Sequence, residues 1–291
     1  MISRLKLIVG LVLIGGLFLL LDPERIGKGL DRLQPDTILF VVGLTIAGIA
    51  IQAVKWQILL RARHPDLTRG QSLESLFVGF GLGCLSPGRL GELGRGLLFP
   101  GHRLEWAGLA AVDRLGSTAV TGICALVGLF VLHPVAALAC STAVLAVGGL
   151  FRLGFRMCLM RFKLLQTVEQ LLGKLSRQVL LANVGWSLVF NLVFFIQFWL
   201  ILTDMGPVPI AALAAVPSVF ALKAFVPISL FDIGVREGAA ILVLAPFGIP
   251  AELAFTAALC LFAANVALPG IAGLCVILRR WEMIGSLRGA R

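Results

Sequence analysis

Charge is scarce in this sequence. Only 14% of its 291 residues are Asp, Glu, Lys or Arg, while 59% are hydrophobic; soluble domains carry roughly 25% charged residues. That shortage excludes an ordinary soluble domain and predicts an all-α polytopic membrane protein. Acid is scarcer than base, at 15 residues against 25, which leaves a net charge of +10. The surplus does not point to nucleic acid, because the basic residues lie in short loops between apolar runs rather than on one polar face. Membrane topology and anionic lipid headgroups account for it better.

Catalytic and metal-binding signatures are missing too. The six cysteines (Cys84, Cys124, Cys140, Cys158, Cys260 and Cys275) lie in or beside apolar segments with no CxxC pair. They read as small hydrophobes and exclude a zinc site or a disulfide framework. No HExxH, GxSxG or phosphate-binding loop occurs, and His64, His102 and His133 read as lone loop histidines. No metal, cofactor or enzyme activity is expected.

What is present is a series of apolar runs. Leu7–Leu21, Thr37–Leu60, Trp106–Leu132, Pro134–Leu150, Val179–Leu202 and Ala254–Leu278 read as six full transmembrane helices. Leu7–Leu21 follows Arg4 and Lys6 without a small-residue cleavage site, so it reads as a retained first helix. Two further regions, 73–99 and 210–247, are each interrupted by a polar motif and read as re-entrant helical hairpins. The N-terminus, the Arg61–Arg69 loop, the Arg152–Arg177 loop and the tail after Leu278 hold fifteen Lys and Arg; the opposing loops hold three. The basic side, with both termini, is expected in the cytoplasm of a cell inner membrane. That count closes only if both hairpins enter and leave on the same side. Residues 1–132 and 133–291 then become two halves of an inverted repeat, a transporter architecture. Residues 151–178 read as an amphipathic linker on the cytoplasmic surface.

The polar motifs carry the information. "SPGRLGELGRG" (Ser86–Gly96) places Arg89, Glu92 and Arg95 at i, i+3 and i+6, one face of a helix that Ser86 would cap and Pro87 would start. The next helix adds Asp113 and Arg114, and the second hairpin adds Asp232, Arg236 and Glu237. Each such charge costs roughly 2.5–3.5 kcal/mol at a lipid-facing helix centre, so all eight must face protein, water or each other. Two accounts stay open. The four arginines and four acids pair off and brace the hairpins, with Asp113 and Asp232 as charge partners. Alternatively Arg89, Glu92, Arg95, Arg114, Arg236 and Glu237 line a midplane cavity in which the arginine forks bind a lipid phosphate. Pro87, Gly88, Gly91, Pro227, Gly234 and Gly238 would shape the hairpin turns.

"SPGRLGELGRG" and "GVREGAAILVLAPFGIP" (Gly234–Pro250) resemble the two signature stretches of the lysylphosphatidylglycerol synthase transmembrane-region family, the flippase-like domain proteins. "KWQILLR" (Lys55–Arg61), "VDRLG" (Val112–Gly116) and "NVALPGIAG" (Asn265–Gly273) are similar to further family motifs in the same order. The resemblance maps Arg89, Gly91 and Glu92 onto the first signature, and Gly234, Arg236 and Glu237 onto the second. Cys84, Ser86, Ser117, Phe231, Asp232 and Phe262 depart from the family's usual residues. Bifunctional members add a soluble domain that transfers lysine from aminoacyl-tRNA, which a chain ending at Arg291 is expected to lack.

The resulting expectation is an inner-membrane protein that moves a phospholipid or polyprenyl-type lipid between leaflets, without ATP. Its partners would be membrane lipids with anionic headgroups, and not nucleic acid. The alternative is a non-transporting membrane partner of an enzyme that builds envelope lipids or glycans. An enzyme using Glu92 and Glu237 as acid and base ranks third, because no nucleophile or metal ligand accompanies them.

Overall fold

The computed structural model describes residues 30–86, 88–99, 101–150, 162–225 and 234–289, with Glu24 and Gly27; for 143–150, 224–225 and 281–289 it describes the backbone alone. Every regular element among the described residues is helical. From the N-terminal side these are α1 (Pro35–Arg61), α2 (Arg69–Cys84), a 3-10 segment (Leu90–Leu98), α3 (Arg103–Leu132) and α4 (Pro134–Leu150). Next come α5 (Lys163–Lys174), α6 (Arg177–Met205), α7 (Ala212–Phe225), α8 (Val235–Leu244) and a short 3-10 turn (Ala245–Phe247). The chain ends in α9 (Ala251–Phe262), a π-turn (Ala263–Ala267) and α10 (Leu268–Gly289).

Four of these stretches are long and apolar enough to cross a membrane: Pro35–Arg61, Arg103–Leu132, Arg177–Met205 and Ala251–Arg280. They contain four of the six expected spans. The fifth, Pro134–Leu150, is a helix of 17 residues, and the sixth, Leu7–Leu21, lies outside the described residues. The long helices turn large apolar side chains outward as well as inward. Leu39, Phe40, Ile46, Ile123, Phe130, Leu192 and Ile271 are all exposed. Water would penalise that surface and lipid would not, so the chain is a membrane protein.

The first interrupted region does fold back on itself. A methyl group on Gly91 would overlap the Leu82 carbonyl, one on Gly83 would press on Glu92, and one on Gly79 would overlap Arg95. As the chain advances from 91 to 95 its neighbours on α2 retreat from 82 to 79, so the return arm runs antiparallel. Pro87 lies outside the described residues. The α-helix expected to start at Pro87 does not form beyond the tip. Gly88 and Arg89 both take left-handed backbone angles, each with φ 55°, and the arm then winds as a 3-10 helix. Ser86 does not cap an α-helix; its hydroxyl accepts from the Gly91 N–H at 2.5 Å. Gly91 makes the closest approach to α2, and the tight register suits a thin, glycine-rich arm pressed against a helix. The second region pairs α7 with α8, and Gly234 turns the chain into α8 with φ 86°.

Helices meet where side chains are smallest. Gly81 of α2 and Gly273 of α10 sit back to back, so a methyl on Gly273 would overlap the Phe77 carbonyl. Gly128 of α3 meets the Ala214 carbonyl of α7 in the same way. α1 crosses α6 beside Gly48 and Phe190. Without a hydrophobic drive between helices in lipid, such close backbone approach is a main source of association. The expected amphipathic linker is α5 over its described part, residues 151–161 lying outside the described residues. Val168 and Leu171 bury against α3, where Gly108 leaves them room.

Gly273→Val should destabilise the protein by about 1–3 kcal/mol, because backbone rather than a movable side chain blocks the new methyls. Nothing lies within 4 Å of a methyl on Gly122, so Gly122→Ala should stay within about 0.5 kcal/mol of the parent. Thermal unfolding of both variants in the same detergent checks the contrast.

Candidate functional site

Between the first hairpin and the long helices lies a cavity of about 230 Å³. Its walls come from the middle of each candidate span: Gln52 of α1, Asp113 to Thr121 of α3, Asn191 of α6, and Asn265 in the π-turn. The tip residues Gly88 and Arg89 reach it from one side, and Phe220 and Lys223 of α7 from another. A π-turn inside a span is a common device for aiming a polar side chain inward. Here the Asn265 amide donates to the Gln197 side-chain oxygen at 2.8 Å.

Two carboxylates organise the charged wall. Asp113 receives Arg95 at 2.7 Å and Lys55 at 3.2 Å. Glu92 lies 2.5 Å from Arg89, 3.5 Å from Arg95 and 3.7 Å from Arg114. In a 3-10 helix positions i and i+3 eclipse one another, which lines up Glu92 and Arg95, while Arg89 reaches Glu92 from the left-handed turn just before the arm. The Arg114 guanidinium also donates to the carbonyls of Arg89 and Gly88, at 2.7 and 2.6 Å, and so holds the strained tip in place.

These charges divide by exposure. Lys55 and Arg95 are 2% and 3% exposed, whereas Arg89 and Arg114 are 18% and 36% exposed. The inner set is built as a brace. Arg95 stacks on the Trp56 ring at 5.2 Å, and the Trp56 indole donates to Ser75 at 2.7 Å. Lys55 also donates to the Ser117 hydroxyl. The outer arginines open toward the cavity. Among the described residues of this cluster, four cations (Lys55, Arg89, Arg95 and Arg114) surround two carboxylates. Both of these carboxylates are engaged by cations.

The remaining expected site residues fall elsewhere. Arg236 and Glu237 are completely buried and do not line the cavity. They pair with each other at 3.0 Å, Arg236 lies 5.0 Å from the Phe262 ring centre, and Glu237 accepts from the Gly234 N–H at 2.7 Å. Adjacent on one helix, they pair with each other, and Glu237 caps α8. Gly238 shapes no turn; it sits inside α8 with open space around it. Pro227 and Asp232 lie outside the described residues. The histidines are less isolated than expected, since His64 and His102 both approach Glu105, at 3.8 and 4.0 Å.

Sequence reasoning passed over Lys55 and Lys223 as site residues. Each is the single charge in an otherwise uncharged apolar run, Thr37–Leu60 and Ile210–Val226, and that solitude was the available signal. The polar row on α6 was passed over as well. Asn183, Ser187 and Asn191 recur every four residues, all buried against α3, and the Asn191 oxygen accepts from the Thr121 hydroxyl at 2.6 Å.

Asp113→Asn should strand Lys55 and Arg95 in the protein interior and cost roughly 3–5 kcal/mol. The double variant Lys55→Met with Asp113→Asn removes one of the stranded cations and should recover part of the loss. Paired thermal melts and expression yields of the two variants check this; equal stability of Asp113→Asn and the parent would contradict the brace.

The profile of one family, described as lysylphosphatidylglycerol synthase TM region, matches residues 7–273. Neither a curated protein nor a solved structure matches the chain at a significant level. The match runs through both hairpin motifs and every candidate span that builds the cavity. The chain therefore belongs to the lysylphosphatidylglycerol synthase transmembrane-region family.

Proposed function

We propose that this protein moves a phospholipid or polyprenyl-type lipid between the leaflets of a cell inner membrane, by binding rather than by chemistry. The observation that carries this reading is a polar cavity lined by Arg89, Glu92, Arg95, Asp113 and Arg114 among the apolar helices long enough to cross a membrane. A bundle that needed only to be stable would gain little from such charges, since buried ion pairs contribute little net stability. Arg89 and Arg114 supply planar donor forks open to the cavity, which suits a phosphate oxygen set. Glu92 keeps them in place, and a headgroup takes over part of that role on entry. With both carboxylates engaged by cations, neither is a ready general base.

The architecture behind this reading is six spans with two re-entrant hairpins in an inverted repeat, residues 1–132 and 133–291. Helix packing supports it. Hairpin arm α2 packs on α10, the last helix of the second half, and hairpin arm α7 packs on α3, the last helix of the first half. α1 packs on α6, which holds the corresponding place in the other half. Exchanging the halves maps this pattern onto itself, as a two-fold axis in the membrane plane requires. The basic side, with both termini, faces the cytoplasm. Labelling of single cysteines in cells should then find positions 63 and 133 on opposite sides; a shared side would overturn the inverted repeat.

The functional test is reconstitution. In proteoliposomes carrying acyl-labelled phospholipid, Arg89→Gln and Arg114→Gln should each slow lipid movement at least about tenfold. The proteins should remain folded, because Glu92 keeps Arg95 and one outer arginine as partners in either variant. Lysine at either position should restore only part of the rate, since a point charge lacks the fork. Arg236→Gln should fail differently, by loss of stability, because it strands buried Glu237. Full lipid movement by Arg89→Gln and Arg114→Gln would end this assignment of the site.

A further inference from the structure

A second polar pocket lies where the loop after α1, the first turn of α3 and the last turns of α5 meet. We infer that this pocket binds the phosphate of an anionic lipid, in the leaflet on the basic side of the bundle. No residue lines both it and the midplane cavity, so the inference stands whether or not the protein moves lipid.

Three separate elements each bring a cation to the pocket: Arg63 from the loop, Arg103 from α3 and Lys174 from α5. A topological signal requires only that basic residues lie on one side of the membrane. Convergence on one pocket goes beyond that requirement. Among the described residues one carboxylate, Glu105, lines the pocket with them, and the Arg63 Nε donates to it at 2.9 Å. The Arg63 fork keeps its two terminal nitrogens for another partner. Arg103 and Lys174 are exposed and enter no ion pair among the described residues. Residues 151–161, outside the described residues, hold Arg152, Arg156 and Arg161 and no acid. Guanidinium forks match phosphate oxygens in pairs, and the Gln170 amide adds a neutral donor. His102 enters α3 with φ 42° and gives it no side-chain cap, so the positive end of that helix reinforces the cations.

Depth assigns the source of the phosphate. The candidate span Pro35–Arg61 ends beside this pocket and Arg103–Leu132 begins in it, which sets it at headgroup level. α5 packs on α3 through Val168 and Leu171 and leaves Leu165 and Leu172, seven residues apart, exposed on another face. Thr167, Gln170 and Lys174 recur at i, i+3 and i+7, on the side of the helix opposite those leucines. An interfacial helix lies with such an apolar face among acyl chains and its polar face among headgroups. Leu104, 48% exposed, also lines the pocket. It offers the glycerol end of a lipid an apolar contact that a free phosphate cannot use.

The test uses the full chain, purified in a neutral detergent, and a short-chain phosphatidylglycerol with a photoreactive group beside its glycerol. Mapping the adducts by mass spectrometry separates this pocket from the midplane cavity. In the parent, adducts should fall on residues 101–105 and 167–174, and unlabelled short-chain phosphatidylglycerol should remove them. Arg103→Gln with Lys174→Gln should cut that labelling at least about tenfold. Arg69→Gln with Arg177→Gln removes the same charge from the same side, outside the pocket, and should leave labelling within about twofold of the parent. Gln170→Glu changes one exposed side chain and, by setting a carboxylate against the phosphate, should weaken labelling severalfold even if the first double variant fails to fold. Absence of adducts at these positions in the parent, or undiminished labelling of Gln170→Glu, would overturn the inference. Equal loss in the two double variants would reduce the site to diffuse surface charge and overturn it as well. Competition by glycerol 3-phosphate as strong as by phosphatidylglycerol would give the pocket to a soluble anion. Equal competition by short-chain phosphatidylcholine would show that net charge is not read, and either result would end the proposal.

Discussion

A charge inside a membrane bundle must be answered by another charge, by hydrogen bonds or by water, and in this protein Asp113 is where that demand is met first. It lies on α3, takes Arg95 from the hairpin's return arm on one side and Lys55 from α1 on the other. Three separate elements are thereby tied at one buried point. Leu90 and Leu97 of the 3-10 arm face outward, and Leu93, with Phe99 at the arm's end, packs into the core beside α3. The arm's position also depends on Arg95 reaching Asp113 and on the glycines that let it lie against α2. The tip geometry at Arg89, the pairing of Glu92 and the shape of the cavity all depend on where that arm is held.

The brace and the candidate binding site are therefore one network seen at two depths. Arg95 belongs to both, contacting Asp113 at 2.7 Å and Glu92 at 3.5 Å. Structural lock and ligand are usually rival roles for such arginines. Exposure separates them here: Lys55 and Arg95 are almost completely buried, Arg95 over the Trp56 ring, while Arg89 and Arg114 are more exposed.

Much of this was legible in the sequence, for reasons that differ by element. The long spans were readable because lipid imposes length and apolarity directly, and their ends fall close to the basic loops. The turn at Gly88 was readable because proline and glycine punctuate an apolar run there. The return arm's 3-10 register was not, because it is set by how closely the backbone approaches Leu82, a tertiary fact invisible in a window of eleven residues. Lys55 was hidden by its position near the end of a span, where a cation ordinarily signals topology rather than a buried pair. The polar row of Asn183, Ser187 and Asn191 was hidden because neutral side chains barely lower the hydropathy of α6. Pattern reading weighs how apolar a segment is; burial partners decide what its few polar residues do.

The two signature motifs differ in one spacing, and that spacing separates their fates. In the first, arginine and glutamate stand three residues apart, at Arg89 and Glu92, and the turn into the 3-10 arm brings them together beside the cavity. In the second, Arg236 and Glu237 are adjacent. Neighbouring side chains on an α-helix point about 100° apart, so the pair closes only if the guanidinium folds back along the helix. It does so, under Phe262 and against the α8 N-terminus, and both residues end completely buried. Similar residue types thus make a partly exposed pair beside the cavity in one motif and a completely buried pair in the other. The difference between the two pairs comes from chain spacing: three positions separate Arg89 from Glu92, whereas Arg236 and Glu237 are neighbours.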